Sequence, residues 1–231
     1  MISEFFNEFL YRPISNVLAV LSLWLPGQNF GLAVIVLTIA FKLLLLPLNK
    51  TMEEGKNNLA KIQPKIKKIQ EEFKDDEKKQ LEELKILYKE HNFNPLSSFI
   101  PLLIQFPVLI ALYRVFLKGF TQKDLYSFVP HAINVDYSFF GANLMTPSLV
   151  LAVITVMVYF VQTKISLQNN KNDNNKKNDM AMNFQKQMPY FFSILTFVVL
   201  VKVPSAVSLY LIVSSLFTMI QQYTLKKNES K

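Results

Sequence analysis

The stretch Phe30 to Leu48, FGLAVIVLTIAFKLLLLPL, decides how this chain is read. As a helix it rises ~28 Å, about the thickness of a bilayer core. Its one charge is Lys42. An uncompensated lysine near the middle of a span costs ~2.5 to 3.5 kcal/mol on insertion scales, and ionisable groups at that depth ordinarily face a wet cavity or a partner. The competing reading is that Lys42, about six residues or ~9 Å from the end of the run, extends its stem to the interface. The run alone leaves both open.

The rest of the chain agrees with a membrane setting. Hydrophobic residues make up 51% of it, with 20 Phe and only 5 Gly, against 25 Lys and Arg and 17 Asp and Glu. Apolar and charged residues are segregated along the sequence, unlike a soluble globular domain. No cysteine is present, which excludes disulfides, thiolate metal sites and cysteine nucleophiles. Five spans are expected, at 30–48, 99–118, 145–162, 189–203 and 206–223, the last two joined tightly through Pro204 and Ser205. Segments 49–98, 163–188 and 224–231 hold 11, 5 and 3 lysines, 19 of the 25 basic residues. This asymmetry places them in the cytoplasm and the N-terminus outside, in a bacterial plasma membrane.

Between the spans, 119–144 is an extracytoplasmic loop. Residues 1–29 read as an amphipathic helix on the outer interface, with Phe5, Phe6, Phe9, Leu10, Ile14, Val17, Leu18 and Leu21 as its apolar residues and a break near Pro13. Arg114 and Lys202 read as anchors at span ends. In 49–98, Leu59, Ile62, Ile66, Ile69 and Phe73, then Leu81, Leu84, Tyr88 and His91, recur at helical spacing around Lys74-Asp75-Asp76. They describe a helical hairpin whose mixed charge, ten acids beside eleven lysines, is not a nucleic-acid patch.

Four segments then fall into a recognisable order. They are LPLNK (Leu46 to Lys50), IQPKIKKI (Ile62 to Ile69), NPLSSFIPLLIQFPVLIALYRV (Asn94 to Val115) and VPSAVSLYLIVSSL (Val203 to Leu216). Together they resemble the YidC/Oxa/Alb family of membrane protein insertases, from about Leu10 to Gln222. The resemblance implies an all-α integral membrane protein, a five-helix bundle around a polar groove open to cytoplasm and lipid. A basic residue on the first core helix charges that groove. Lys42 matches it, although most family members carry arginine, whose planar fork binds carboxylates bidentately. Gln162 matches a groove glutamine. Nascent membrane proteins, the secretion channel and the ribosome are the implied partners besides lipid, with the short tail from Lys226 to Lys231 a weak ribosome contact.

Polar residues within the spans support a groove on their own. Thr38 lies one turn from Lys42 on the same face, and Gln105, Ser208 and Ser214 or Ser215 are polar groups in other spans. Interhelical packing bonds are the simpler reading of Gln105 and Ser208. The chain has no glycine-rich phosphate loop and no metal-spaced histidines, only His91 and His131. No enzymatic reaction, metal or cofactor is therefore expected. A small channel or transporter, or a structural assembly factor, would use similar spans. The channel should show repeats or a polar path to the outer side, and the assembly factor would not need the charge of Lys42.

Overall fold

The computed structural model describes residues 2–91, 100–130, 134–168 and 193–229. Asn94 to Phe99, His131 and residues 169–192, which include the start of the expected fourth span, lie outside the described residues. Two compact units are present, one built from 1–43 with 106–231 and the other from 44–105.

The larger unit begins with α1 (Ile2–Phe6), a single π turn (Asn7–Tyr11) and α2 (Arg12–Trp24). Pro13 therefore does not break the helix. It sits in the first turn of α2, where its missing N–H costs nothing, and the π turn before it absorbs the change. The face turned inward also differs from expectation. Tyr11, Ser15, Asn16, Leu18, Ala19 and Ser22 are buried, whereas Phe5, Phe9 and Val17 are exposed.

Polar bonds hold the inward polar residues in place, while Leu18 is buried and Phe6, Leu10, Ile14 and Leu21 pack against the same core. Tyr11 Oη donates to Asp124 (3.0 Å), which also accepts from Thr121. Burial and the Asp124 carboxylate push the Tyr11 phenol up to about 12, so it stays protonated and able to donate. Asn16 donates to the carbonyls of Arg12 and Asp124 and accepts from the Tyr126 N–H at 2.7 Å. Arg114 donates to Asn7 Oδ1 (2.9 Å) and lies 4.9 Å over the Phe6 ring, so it is a tie to the N-terminal helix, not a free anchor.

A short 3-10 turn (Pro26–Gln28) leads into α3 (Phe30–Leu44). The first apolar run is thus not one helix through Leu48. Leu45 interrupts it and α4 starts at Leu46 with Pro47 in its first turn. α6 (Ile100–Lys118) runs unbroken through Pro101 and Pro107. A two-residue hairpin, β1 (Ser138–Phe139) and β2 (Ala142–Asn143), is the only strand pair among the described residues. α7 (Leu149–Gln168), α8 (193–200) and α9 (Ser205–Glu229) complete the unit. Lys202 is exposed at the α8–α9 turn.

Backbone bonds tie the heads of three of these helices together. The Phe30 N–H donates to Asp136 O (2.9 Å), Ser205 N–H to Thr146 O (2.9 Å) and Ala206 N–H to Leu144 O (2.9 Å). Leu144 in turn donates to Tyr137 O. α3, α7 and α9 therefore leave one joint in the same direction. Phe30 fills its centre, edge-on to Phe116 and Phe120 at 5.7 and 5.9 Å, with Leu18, Leu144 and Ala206 fully buried around it.

Among the described residues, only Ser205–Thr224 is both long and apolar enough to cross a membrane. Phe30–Leu44 and Leu149–Ile165 are shorter apolar helices.

The smaller unit is a helix pair. α4 (Leu46–Glu72) carries Pro64 internally, and α5 (Glu77–Glu90) begins at Asp76, whose carboxylate accepts from the Lys79 N–H as an N-cap. Gln80 donates to Gln70 O, and Lys65 Nζ meets His91 Nε2 at 3.0 Å, so the helices run antiparallel. Ile62 and Leu87 are buried between them, while Leu81 is exposed. The apolar stripe of α5 is Leu84, Leu87, Tyr88 and His91.

Candidate functional site: a lysine held by a threonine

α9 supplies the spine of the polar site. Ser208, Ser215, Thr218 and Gln222 fall within roughly 80° of one another around a helix of 3.6 residues per turn, and Ser208, Ser214, Ser215 and Gln222 are buried. Two neighbouring helices bond to this spine. Thr155 on α7 donates to Leu151 O at 2.7 Å and reaches Ser208 O at 3.4 Å. Lys42 on α3 reaches Thr218 Oγ1 at 3.4 Å.

The hydroxyl that meets Lys42 is oriented. Thr218 gives its own proton to the Ser214 carbonyl (2.9 Å), so its oxygen presents lone pairs to the ammonium. Lys42 is half-buried, and Thr38, one turn earlier, is buried with its proton on Val34 O at 2.6 Å. No carboxylate pairs with Lys42 among the described residues, whereas Arg12 pairs with Glu8 at 2.8 Å. An ammonium has three donors, and the hydroxyl of Thr218 occupies one. Such a group retains capacity for water or for an anion brought from elsewhere.

By helical rise Lys42 is ~18 Å from the head of α3, Thr218 ~20 Å from the head of α9 and Gln162 ~20 Å from the head of α7. Gln162 Oε1 is buried without a hydrogen-bond partner, and so is Ser208 Oγ nearer the joint. Unmatched buried polar atoms are rare, and each marks strain, bound water or a missing ligand.

Of the residues singled out from the sequence, Lys42, Thr38, Gln162 and Ser208 fall in the larger unit. Gln105 is half-buried and falls in the other unit. The side chain of Asn49 lies outside the described residues. Thr218 and Thr155 were not foreseen, and their spacing from Ser208 and Gln162 was the available signal. Among the described residues no cluster of His, Asp or Glu has metal-binding geometry.

Comparison with known proteins identifies the family. The profile of the family described as 60Kd inner membrane protein matches residues 21–231. Membrane protein insertase YidC of Fusobacterium nucleatum is 34% identical over 203 residues, covering 86% of this chain and 87% of that protein. The protein of the same name from Clostridium tetani is 34% identical over 233 residues, covering 99% and 93%. Membrane protein insertase MisCA of Bacillus subtilis is 29% identical, covering 99% and 82%. A crystal structure of an active YidC insertase superimposes with a TM-score of 0.58 at 25% identity. It covers 85% of this chain, which spans 42% of that longer one. The chain therefore belongs to the 60Kd inner membrane protein family, the YidC/Oxa/Alb family of membrane protein insertases.

Proposed function

We propose that this protein inserts newly made membrane proteins into the bilayer from the cytoplasm, using Lys42 to receive the acidic segment that must cross first. The observation that carries the reading is the half-buried Lys42 ammonium, held by Thr218 and lacking a carboxylate among the described residues. The relatives named membrane protein insertases support it.

In this reading the chain is a five-span bundle in a bacterial plasma membrane. The N-terminal helix and the α3–α7–α9 joint are outside, and the α4–α5 pair and the C-terminus are in the cytoplasm. A substrate carboxylate is drawn to Lys42, and Gln162 Oε1 and the α9 hydroxyls replace part of the water lost by the tail. These groups lie ~18–20 Å along their helices from the outer joint, so the apolar distance left to the tail is shorter than a full core. Each negative charge moved outward against an inside-negative potential gains ~2.3 kcal/mol per 100 mV. The hydrophobic segment then leaves sideways into lipid, driven by apolar burial. No covalent step and no cofactor is needed. The secretion channel and the ribosome are the proposed partners.

Reconstitution tests this directly. Proteoliposomes containing the protein alone receive a single-span reporter with an acidic N-terminal tail, and protection of the tail from external protease is measured. Protection well above that in empty liposomes is expected, increasing with an imposed potential. Equal protection in both vesicle types would refute the proposal.

A further inference from the structure

The outer joint carries aromatic side chains that stand exposed among the described residues. Trp24 ends α2 and is 85% exposed, and Phe140 at the tip of the β1–β2 hairpin is 96% exposed. Both belong to the joint through short chain segments. Gln28, four residues after Trp24, accepts from the Asp136 N–H, and Asn29 Nδ2 donates to Ser138 O (2.8 Å) beside the tip.

The hairpin is shaped to turn Phe140 outward. Phe139 presses its ring onto the backbone of Gly31 in the first turn of α3, and Phe140 meets that ring edge-on at 4.7 Å. Phe140 itself has φ +47°, a left-handed conformation rare for a bulky residue, which persists only where its surroundings fix it. With Gly141 at φ +80° it makes the two-residue turn of the hairpin, whose mirror-image geometry needs a positive φ at both positions, and the ring is left open at the tip.

Position identifies the occupant. Gly31 and Phe30 head an apolar helix, so the hairpin tip and Trp24 sit where that helix enters the bilayer. α3 is only ~22 Å long against a hydrocarbon core of ~30 Å, and a short span is accommodated by anchoring its flanks in the interface. Aromatic rings suit that boundary, with Trp placing its N–H among the headgroups. Leu149 and Val150, at the head of α7, are exposed as well.

We propose that Trp24 and Phe140 form a two-point anchor, embedded at the headgroup–acyl boundary of the outer leaflet, that fixes the depth of the joint. The proposal rests on the membrane-spanning reading above. Trp24 is the sole tryptophan, which makes it a native probe. Emission is recorded in proteoliposomes of phosphatidylcholine brominated either near the carbonyls or near the chain ends, and again with aqueous iodide. Three proteins are compared: the wild type, Trp24→Phe with Phe140→Trp, and Trp24→Phe with Leu216→Trp, the last reporting from mid-span on α9.

The wild type and the Phe140→Trp protein are expected to lose most intensity to the shallow bromines and little to iodide, and the Leu216→Trp protein to the deep ones. If the first two ignore both bromolipids and are quenched by iodide while Leu216→Trp responds, the anchor is refuted and the aromatics face solvent or another protein. If Leu216→Trp also ignores the lipid, the membrane-spanning reading fails and the anchor with it.

Discussion

Lys42→Glu is expected to abolish insertion of an acidic-tailed reporter, with Lys42→Arg retaining most of it. Two unit charges about 4 Å apart interact by ~4 kcal/mol at an effective dielectric of 20. Reversing one turns attraction into repulsion of similar size. Even if groove water screens most of that swing and leaves ~2 kcal/mol in the barrier, the rate falls about thirty-fold. A reporter with a neutral tail should be inserted nearly equally by both proteins. Equal insertion of the acidic reporter by the wild type and Lys42→Glu would make Lys42 a lysine that only reaches for the interface. Thr218→Val is the milder companion. It removes one acceptor from the ammonium while keeping the shape, so the acidic reporter alone should slow several-fold, with Thr218→Ser near wild type. Loss for both reporters alike would assign Thr218 a packing role.

Gly31→Ala is expected to destabilise the protein, against the usual sign. Replacing glycine by alanine at a helical position ordinarily stabilises by ~0.5–1 kcal/mol. Here an added methyl would lie 2.4 Å from Phe139 Cδ2, 2.6 Å from Cγ and 3.0 Å from Cβ. The clash reaches the root of the side chain, where no rotamer change relieves it. Forced overpacking of this kind costs ~1–3 kcal/mol. A lower thermal midpoint for the purified protein in detergent should result. Adding Phe139→Ala should recover part of the loss, because the two positions are in contact and do not add independently. A raised midpoint for Gly31→Ala alone would show that the hairpin does not seat on α3.

Lys42 was legible because a charge inside an apolar run has few explanations. Thr218 was not, because hydroxyls in apolar helices commonly return their proton to the preceding turn, so its spacing from Ser208 does not by itself mark it as a partner of Lys42. Thr38, Thr155 and Thr218 all make that local bond, and only Thr218 also meets Lys42. The N-terminal helix shows the limit of periodicity. Its spacing gave the right element, yet Ser15, Asn16 and Ser22 point inward and Phe5 and Phe9 outward. Periodicity assumes that water lies outside, and beside lipid the polar side turns to protein. The break at Leu45 was hidden for a related reason, since hydropathy is continuous through Leu48 while the backbone is not.

The three backbone bonds that clamp the heads of α3, α7 and α9 also make each helix a lever with its pivot at one end. α9 is ~37 Å long, so a tilt of about 5° that scarcely disturbs the clamp sweeps its far end through ~3 Å. Displacement grows with distance from the pivot, which gives the Lys42–Thr218 level about half of that travel and the far end all of it. In the proposed function, small rotations about this pivot admit passengers of different girth at the far end while the bonds at the pivot hold.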